Sequence, residues 1–268
     1  MDTTSPTLAE GQAITATWRN FFAFLRRPRL PEDDVGHRAV FENVAPGETR
    51  PAPPTGIKLE AFRRTLHLFV LDILLMAPIL LVAAGLEAAG VQFPDNALAE
   101  LTFGPLIIVA IVLGAPLMEE LAFRGWLTGR PAALVAFGTL LLAYLAISVI
   151  APLLPEMQQG LLGLGAIGAF VLAAILAVAA LRNRPAPRWY ARAFPLFYAL
   201  SVIAFAAIHI TNYEQGDMAL WMLLPLVIPQ AVAGLVWGYA RVHFGLWSSI
   251  LLHAMHNGLA VGLILGFT

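Results

Sequence analysis

Seven apolar stretches alternate with short polar connections between residue 65 and the C-terminus. Each is close to the length of about 20 helical residues that crosses the hydrocarbon core of a bilayer. The pattern therefore predicts an all-α fold, a polytopic transmembrane helical bundle of about seven membrane spans. The predicted spans are 65–86, 101–128, 131–153, 161–181, 194–212, 219–240 and 245–267.

The first 60 residues contain no apolar stretch of that length and are predicted to form a separate tail. Within it, residues 18–30 (WRNFFAFLRRPRL) combine aromatic side chains with arginines, a mixture typical of helices that lie in the lipid headgroup region. A short solvated helix, or one packed against the rest of the protein, is an equally good interpretation. Residues 31–57 indicate a flexible linker. We therefore divide the chain into a tail over 1–60 and a transmembrane domain over 61–268.

The composition agrees with a protein that is surrounded by lipid. Hydrophobic residues make up 59% of the chain and charged residues 12%, with a mean hydropathy of +0.76. A soluble domain is nearer half apolar and a quarter charged, so a soluble fold is excluded. The net charge of −1 gives no case for a nucleic-acid partner. The absence of cysteine excludes a thiol nucleophile, disulfides and thiolate metal sites.

Basic residues mark one side of the predicted membrane protein. The connections over 87–100, 154–160 and 213–218 contain no lysine or arginine. Basic residues instead lie in the alternate segments, which are the tail before residue 65, the turn at Arg130, the loop over 182–193 and the turn at Arg241. By the positive-inside rule, these basic segments are cytoplasmic. We expect an integral, multi-pass protein of the cell membrane whose N-terminus is cytoplasmic.

Ionisable side chains are costly in hydrocarbon, so those within the spans are candidate functional residues. Glu120 and Arg124 are four residues apart, lie on one face of a helix and are predicted to pair. Glu119 is predicted to point elsewhere and not to be neutralised by that arginine, because five residues correspond to about 140° around a helix. A charge cluster at the helix end that uses both glutamates is the alternative. The full polar set comprises Asp72, Glu119, Glu120, Arg124, His209, Gln230, His253, His256 and Asn257.

Three of these residues are predicted to meet inside the membrane. Counted from the nearest basic segments, Glu119, His209 and His253 lie at depths along their helices that allow a common site. Asn257 lies one turn beyond His253 on the same face, so both can donate hydrogen bonds from that face. Phe205 precedes His209 by one turn. Asp72 is expected to pair within the bundle, and His256 is expected to be a bystander.

Three short motifs carry a family resemblance. EELAFR (119–124), FAAIH (205–209) and HAMHN (253–257) resemble, in order, the EExxxR, FxxxH and HxxxN/D motifs of the CPBP family. These are intramembrane CAAX-prenyl-protease and bacteriocin-processing proteins, also called abortive-infection proteins. In the family, the second motif usually follows the first directly. Here residues 130–187 intervene, and they are long enough to form an inserted helical hairpin.

The resemblance implies a hydrolase that cleaves a peptide bond of a membrane-associated substrate, for which the family name suggests a prenylated CAAX tail. Glu119 would be the general base that activates water, and His209 would orient that water. His253 and Asn257 would stabilise the oxyanion. Glu120 and Arg124 would hold the Glu119 helix in place, and Phe205 would form a wall of the cavity.

The resemblance leaves the cofactor open, because the family is often described as metalloproteases. Glu119, His209 and His253 supply the ligand count of a catalytic site for a divalent metal such as zinc. A metal-free glutamate mechanism is slightly favoured, because Asn257 beside His253 suits an oxyanion hole better than a coordination shell. Two other functions fit the buried acid and imidazoles: a small proton-coupled membrane transporter, and a catalytically idle membrane scaffold or immunity protein.

Overall fold

The computed structural model describes residues 6–31, 55–94, 96, 102–181, 183–213, 223 and 225–267. Over these residues the chain is helical, and its β structure is limited to an isolated bridge between Asn96 and Tyr213. The predicted all-α fold is therefore confirmed. The helices are α1 (Pro6–Arg26), α2 (Thr55–Ala88), α3 (Pro105–Val109), α4 (Ala115–Arg124), α5 (Pro131–Leu145), α6 (Glu156–Leu181), α7 (Arg188–Ile208), α8 (Ile228–Phe244) and α9 (Leu246–Phe267).

Short irregular turns extend several of these helices. A π turn over Ala110–Gly114 joins α3 to α4, and a 3₁₀ turn over Gly125–Thr128 follows α4. A π turn (Ala146–Ile150) and a 3₁₀ turn (Ala151–Leu153) prolong α5. A further 3₁₀ turn, His209–Asn212, ends α7.

Six helical segments of the described residues are long and apolar enough to cross a membrane. They are Leu59–Ala88, Pro105–Thr128, Pro131–Leu153, Glu156–Leu181, Arg188–Asn212 and Leu246–Gly266. They correspond to six of the seven predicted spans. The remaining predicted span, 219–240, begins largely outside the described residues, and its described part is α8, a helix of 17 residues. Helix α8 continues to Phe244, where Gly245 has a φ of 102° and ends it.

Helices α2, α6 and α7 begin earlier than the apolar pattern predicts, because polar and charged turns continue them beyond the hydrophobic stretch. Helix α2 starts at Thr55 rather than at residue 65. In its first turns, Arg64 donates a hydrogen bond of 2.8 Å to Glu60, four residues earlier. Such pairs stabilise an exposed helix end without adding hydrophobicity.

The chain forms two compact units, of which the first comprises Met1–Pro28, Arg50–Phe123 and Leu196–Thr268. Helix α8 is the most enclosed helix of this unit, since seven of its residues between Ala233 and Ala240 are buried. Gly238 allows a close approach, because a Cβ atom there would lie 2.8 Å from the ring of Tyr198. The Tyr198 hydroxyl donates to the carbonyl of Leu235. Close packing therefore accounts for glycine at position 238.

Helix α1 packs against the bundle through its second half. Trp18 Nε1 donates a hydrogen bond of 2.8 Å to the carbonyl of His67 on α2. The ring of Phe24 contacts the rings of Tyr239 and His243 on α8 at centroid distances of 5.2 and 5.0 Å. Residues 18–26 thus belong to a packed helix, and their position relative to the headgroups stays a prediction. The predicted linker lies outside the described residues, apart from residue 31 and the start of α2.

The second unit comprises Arg29–Thr49 and Arg124–Pro195. Its main feature is a hairpin of α5 and α6, which corresponds to the hairpin predicted over 130–187. Gly129 precedes the hairpin with a φ of 66°, and a Cβ atom there would lie 2.2 Å from the ring of Tyr190. The apolar side chains of both helices are largely exposed, as expected for helices surrounded by lipid.

Candidate active site

The first unit brings the predicted acid and the two predicted histidines together. Glu119 Oε2 on α4 lies 3.8 Å from His209 Nε2 and 3.8 Å from His253 Nε2. His209 begins the 3₁₀ turn that follows α7, and His253 lies on α9. The exposed fractions of the Glu119, His209 and His253 side chains are 29%, 16% and 3%. The cluster is therefore enclosed at His253 and open at Glu119.

Each imidazole is oriented by a hydrogen bond from its other nitrogen. His209 Nδ1 lies 2.7 Å from the carbonyl oxygen of Phe205, and His253 Nδ1 lies 3.0 Å from Glu120 Oε1. A carbonyl oxygen only accepts hydrogen bonds, so His209 Nδ1 carries the proton and donates. The Glu120 carboxylate also only accepts hydrogen bonds, so His253 Nδ1 carries a proton and donates a hydrogen bond to Glu120. Both Nε2 atoms consequently face Glu119 in defined rotamers.

Glu120 has a role that the sequence pattern does not reveal. The i, i+4 spacing predicts only a pair with Arg124, and both side chains are fully buried on α4. The structure adds the hydrogen bond from His253, a residue 133 positions away. The partner could not be found from spacing alone, because spacing within one helix does not show which other helix lies beside it. The pair between Glu120 and Arg124 stays a prediction.

Aromatic rings surround the two imidazoles. Phe205 is buried, and its ring centroid lies 4.7 Å from that of His209 and 5.8 Å from that of His253. Phe205 thus contacts both imidazoles, and its role as a wall of the cavity stays a prediction. Trp237 on α8 stacks on His253 at 4.0 Å with an interplanar angle of 24°. Sequence reasoning missed Trp237, because a tryptophan in an apolar helix carries no signal of its partner.

Asn257 binds a backbone carbonyl that has no hydrogen-bond donor in the following turn of its own helix. Asn257 Nδ2 donates a hydrogen bond of 2.9 Å to the carbonyl of Ile111 in the π turn. The N–H of Ala115 donates to Ala110, five residues earlier, and Pro116 has no N–H to donate. Neither Ala115 nor Pro116 therefore donates a hydrogen bond to the Ile111 carbonyl. Pro116, read together with Asn257, is the sequence signal that could have indicated this contact.

Asp72 and His256 form a second acid–imidazole pair. His256 Nδ1 lies 2.7 Å from Asp72 Oδ2, and the Asp72 side chain is fully buried. The expected pairing of Asp72 within the bundle is thus what the structure contains. His256, expected to be a bystander, is its partner.

The donor atoms of Glu119, His209 and His253 suit zinc in their chemistry, but their spacing does not. In a tetrahedral site with bonds of 2.0–2.1 Å, neighbouring donor atoms are about 3.3 Å apart. The corresponding distances from Glu119 Oε2 are 3.8 Å. Within the described ranges, the structure contains no group of three or more His, Cys, Asp or Glu residues with the geometry of a metal site.

An apolar cleft of about 690 Å³ lies elsewhere in the first unit. It is lined by the second half of α2, by residues 93, 94 and 96, by Tyr213 and by residues at and just before the start of α8. None of the predicted site residues lines this cleft. The chemistry-bearing cluster therefore lies outside it.

Comparison with known proteins agrees with the motifs in the site. Residues 101–259 match the family described as Rce1-like, type II CAAX prenyl endopeptidase. The match covers more than half of the chain and contains all three motifs. The chain belongs to this family. No match was found among curated proteins or among solved structures.

Membership of the Rce1-like family makes the chain a CAAX-type endopeptidase in general terms. Together with the six apolar helices, it identifies an integral membrane protein. The matched range continues through the hairpin of α5 and α6, so the hairpin interrupts the motifs without preventing their recognition.

Removal of the Glu120 carboxylate tests how the site is held together. We expect Glu120→Ala to lower the free energy of unfolding by about 3 kcal/mol, because it leaves the buried His253 without its acceptor. Glu120→Gln keeps an acceptor oxygen for His253, so its free energy of unfolding should fall by less. Thermal unfolding of both purified variants in detergent measures the difference. Wild-type stability of Glu120→Ala would show that this hydrogen bond does not hold α4 to α9.

Proposed function

We propose that this Rce1-like protein is an intramembrane endopeptidase that hydrolyses a peptide bond of a membrane-associated protein, with Glu119 as the general base. The observation that carries the proposal is the Glu119 carboxylate lying 3.8 Å from each of two oriented imidazole nitrogens within a membrane-spanning bundle. The family description supports a prenylated CAAX tail as the substrate class.

The first step is activation of a water molecule. The neutral His209 ring presents an unprotonated Nε2, which accepts a hydrogen bond from that water and orients its oxygen. Glu119 removes the other proton as the oxygen attacks the carbonyl carbon of the scissile bond. The buried Phe205 ring makes one wall of this part of the site apolar and excludes other water, which strengthens the electrostatic interactions.

The second requirement is stabilisation of the negative charge that develops on the carbonyl oxygen. With Nδ1 donating to Glu120, His253 provides an Nε2–H donor when the ring is an imidazolium. Glu120 balances its positive charge, and the stacked indole of Trp237 adds a cation–π attraction. One amide hydrogen of Asn257 is used by Ile111, and the second is the other donor to the oxyanion.

The tetrahedral intermediate then collapses. The carbon–nitrogen bond breaks as Glu119 returns the proton taken from water to the leaving nitrogen. The products are a carboxylic acid on one peptide and an amine on the other, and Glu119 is again ionised. Transfer of the acid's proton to the amine then gives the carboxylate and the ammonium group. No step is assigned to a metal, because the donor distances exceed those of a tetrahedral site.

The same proposal places the protein in the cell membrane with a cytoplasmic N-terminus. The support is the alternation of basic and acidic connections, which assigns the tail, the turn at Arg130 and the loop before α7 to one side. This orientation exposes the cytoplasmic ends of the bundle to proteins that carry a modified C-terminus.

The Glu119 carboxylate is the most direct target for a test of the reaction. We expect Glu119→Gln to reduce cleavage of membrane peptides by at least about 10³-fold, because the amide cannot accept the proton of water. Membrane peptides from cells that express either form, compared by mass spectrometry, would identify the substrate. The matched control is Glu156→Gln at the exposed start of α6, which should leave cleavage unchanged. Unchanged turnover in Glu119→Gln would contradict the assignment of Glu119 as the base, whereas solute flux into liposomes that persists in this variant would favour a transporter.

Metal removal tests the assignment of the base independently. Dialysis of the purified protein against a strong chelator should leave turnover within about twofold of the untreated enzyme, because the carboxylate and imidazoles perform each step. Metal analysis of the same samples is the accompanying measurement. Loss of turnover that zinc restores would assign the three donors to a catalytic metal instead.

A further inference from the structure

Burying the carboxyl group of Asp72 within a membrane span costs free energy, and the proposed reaction does not use this residue. Its side chain is fully buried in the middle of α2, within the span Leu59–Ala88. Among the residues that the structure describes, its Oδ1 atom has no hydrogen-bond partner, and Oδ2 is paired with His256. A buried acid–base pair contributes little net stability compared with apolar side chains of similar size. Stability alone therefore gives no reason for this pair.

His256 connects Asp72 to the active site through an indole ring. The centroids of His256 and Trp237 are 5.4 Å apart, with an interplanar angle of 74°. The same Trp237 ring stacks on His253 at 4.0 Å. Two imidazoles of α9, His253 and His256, thus contact the same indole. Each of them also forms a hydrogen bond with a buried carboxylate of another helix.

The two acid–imidazole pairs hold α9 from two directions. Glu120 binds His253 from α4, and Asp72 binds His256 from α2. The two bonds together resist rotation of α9 about its axis. Such a rotation would move His253 away from Glu119, and Asn257 turns with the same helix. A displacement of about 1 Å in a catalytic group can reduce the rate by up to about 100-fold.

We propose that Asp72 and His256 are positioning residues, which fix the Trp237 indole and the rotation of α9 so that His253 and Asn257 face the reacting carbonyl. This inference rests on the proposed function. The hydrogen bond from His256 to Asp72 carries the effect, so an acceptor of the same size in place of the carboxylate maintains it.

The test compares substitutions at Asp72 with a matched pair on the same two helices. Thr65 Oγ1 and Ser248 Oγ are 2.7 Å apart, buried, and also join α2 to α9. We expect Asp72→Leu to lower kcat about tenfold with KM within about twofold, because substrate contacts remain while the donors are misaligned. Asp72→Asn keeps an acceptor for His256 and should restore most of kcat. Thr65→Val should leave kcat unchanged.

A double substitution guards against simple misfolding. Asp72→Leu combined with His256→Phe removes both ionisable groups of this pair, so neither is left without the other, and the double variant should fold. It should still lose kcat, because the ring at position 256 is no longer tethered. If either Asp72→Leu or this double variant is folded and turns over at the wild-type rate, the proposal is overturned. Equal losses in Thr65→Val and Asp72→Leu would also overturn it, since they would indicate a general packing effect.

A spectroscopic measurement separates this proposal from the proposed reaction. The fluorescence of Trp237, taken as the difference between a parent protein and its Trp237→Phe variant, reports on the stacked imidazole. It is measured in the Glu119→Gln background, in which no cleavage is expected. We expect Asp72→Leu to change this emission and Asp72→Asn to preserve it. An emission that Asp72→Leu leaves unchanged contradicts the positioning role, whereas full activity of Glu119→Gln contradicts only the proposed function.

Discussion

The free-energy cost of a carboxyl group in a hydrocarbon environment governs the arrangement of this bundle. Three acids lie in α2 and α4 away from the exposed ends of the membrane-spanning segments, and each lies near a histidine. Asp72 pairs with His256, Glu120 pairs with His253, and Glu119 lies near both His209 and His253. The first two pairs are short hydrogen bonds to fully buried carboxylates. The Glu119 distances are longer, and its side chain is the one that remains partly exposed, as the reacting acid requires.

Irregular backbone supports the same site. The π turn and Pro116 leave the Ile111 carbonyl to Asn257, and the 3₁₀ turn at the end of α7 contains His209. The buried Ser201, two turns before His209, donates a hydrogen bond of 2.7 Å to the carbonyl of Phe123 near the end of α4. Backbone groups that a regular helix would satisfy internally are thus satisfied by side chains of neighbouring helices, which is required where water is absent.

The sequence predicted much of the fold because the membrane imposes simple rules. Apolar length located the spans, and the i, i+4 rule showed that His253 shares a face with Asn257. These rules describe single helices, so they could not show that Glu120 meets His253 or that Trp237 stacks on that ring. The charged start of α2 and the continuation of α8 through Arg241 to Phe244 departed from prediction for the same reason. Hydrophobicity measures contact with lipid, whereas a helix also continues through charged turns and through positions buried among other helices.

The proposed reaction requires Glu119 and His209 to act together on one water molecule, and a double-mutant cycle measures this coupling. The measurement is kcat/KM for peptide cleavage by purified Glu119→Gln, His209→Gln and the double variant in lipid vesicles. Residues that act as a unit are strongly non-additive, so the double variant should be no slower than the slower single variant. Losses that multiply in the double variant would show that the two side chains act independently and would contradict the account.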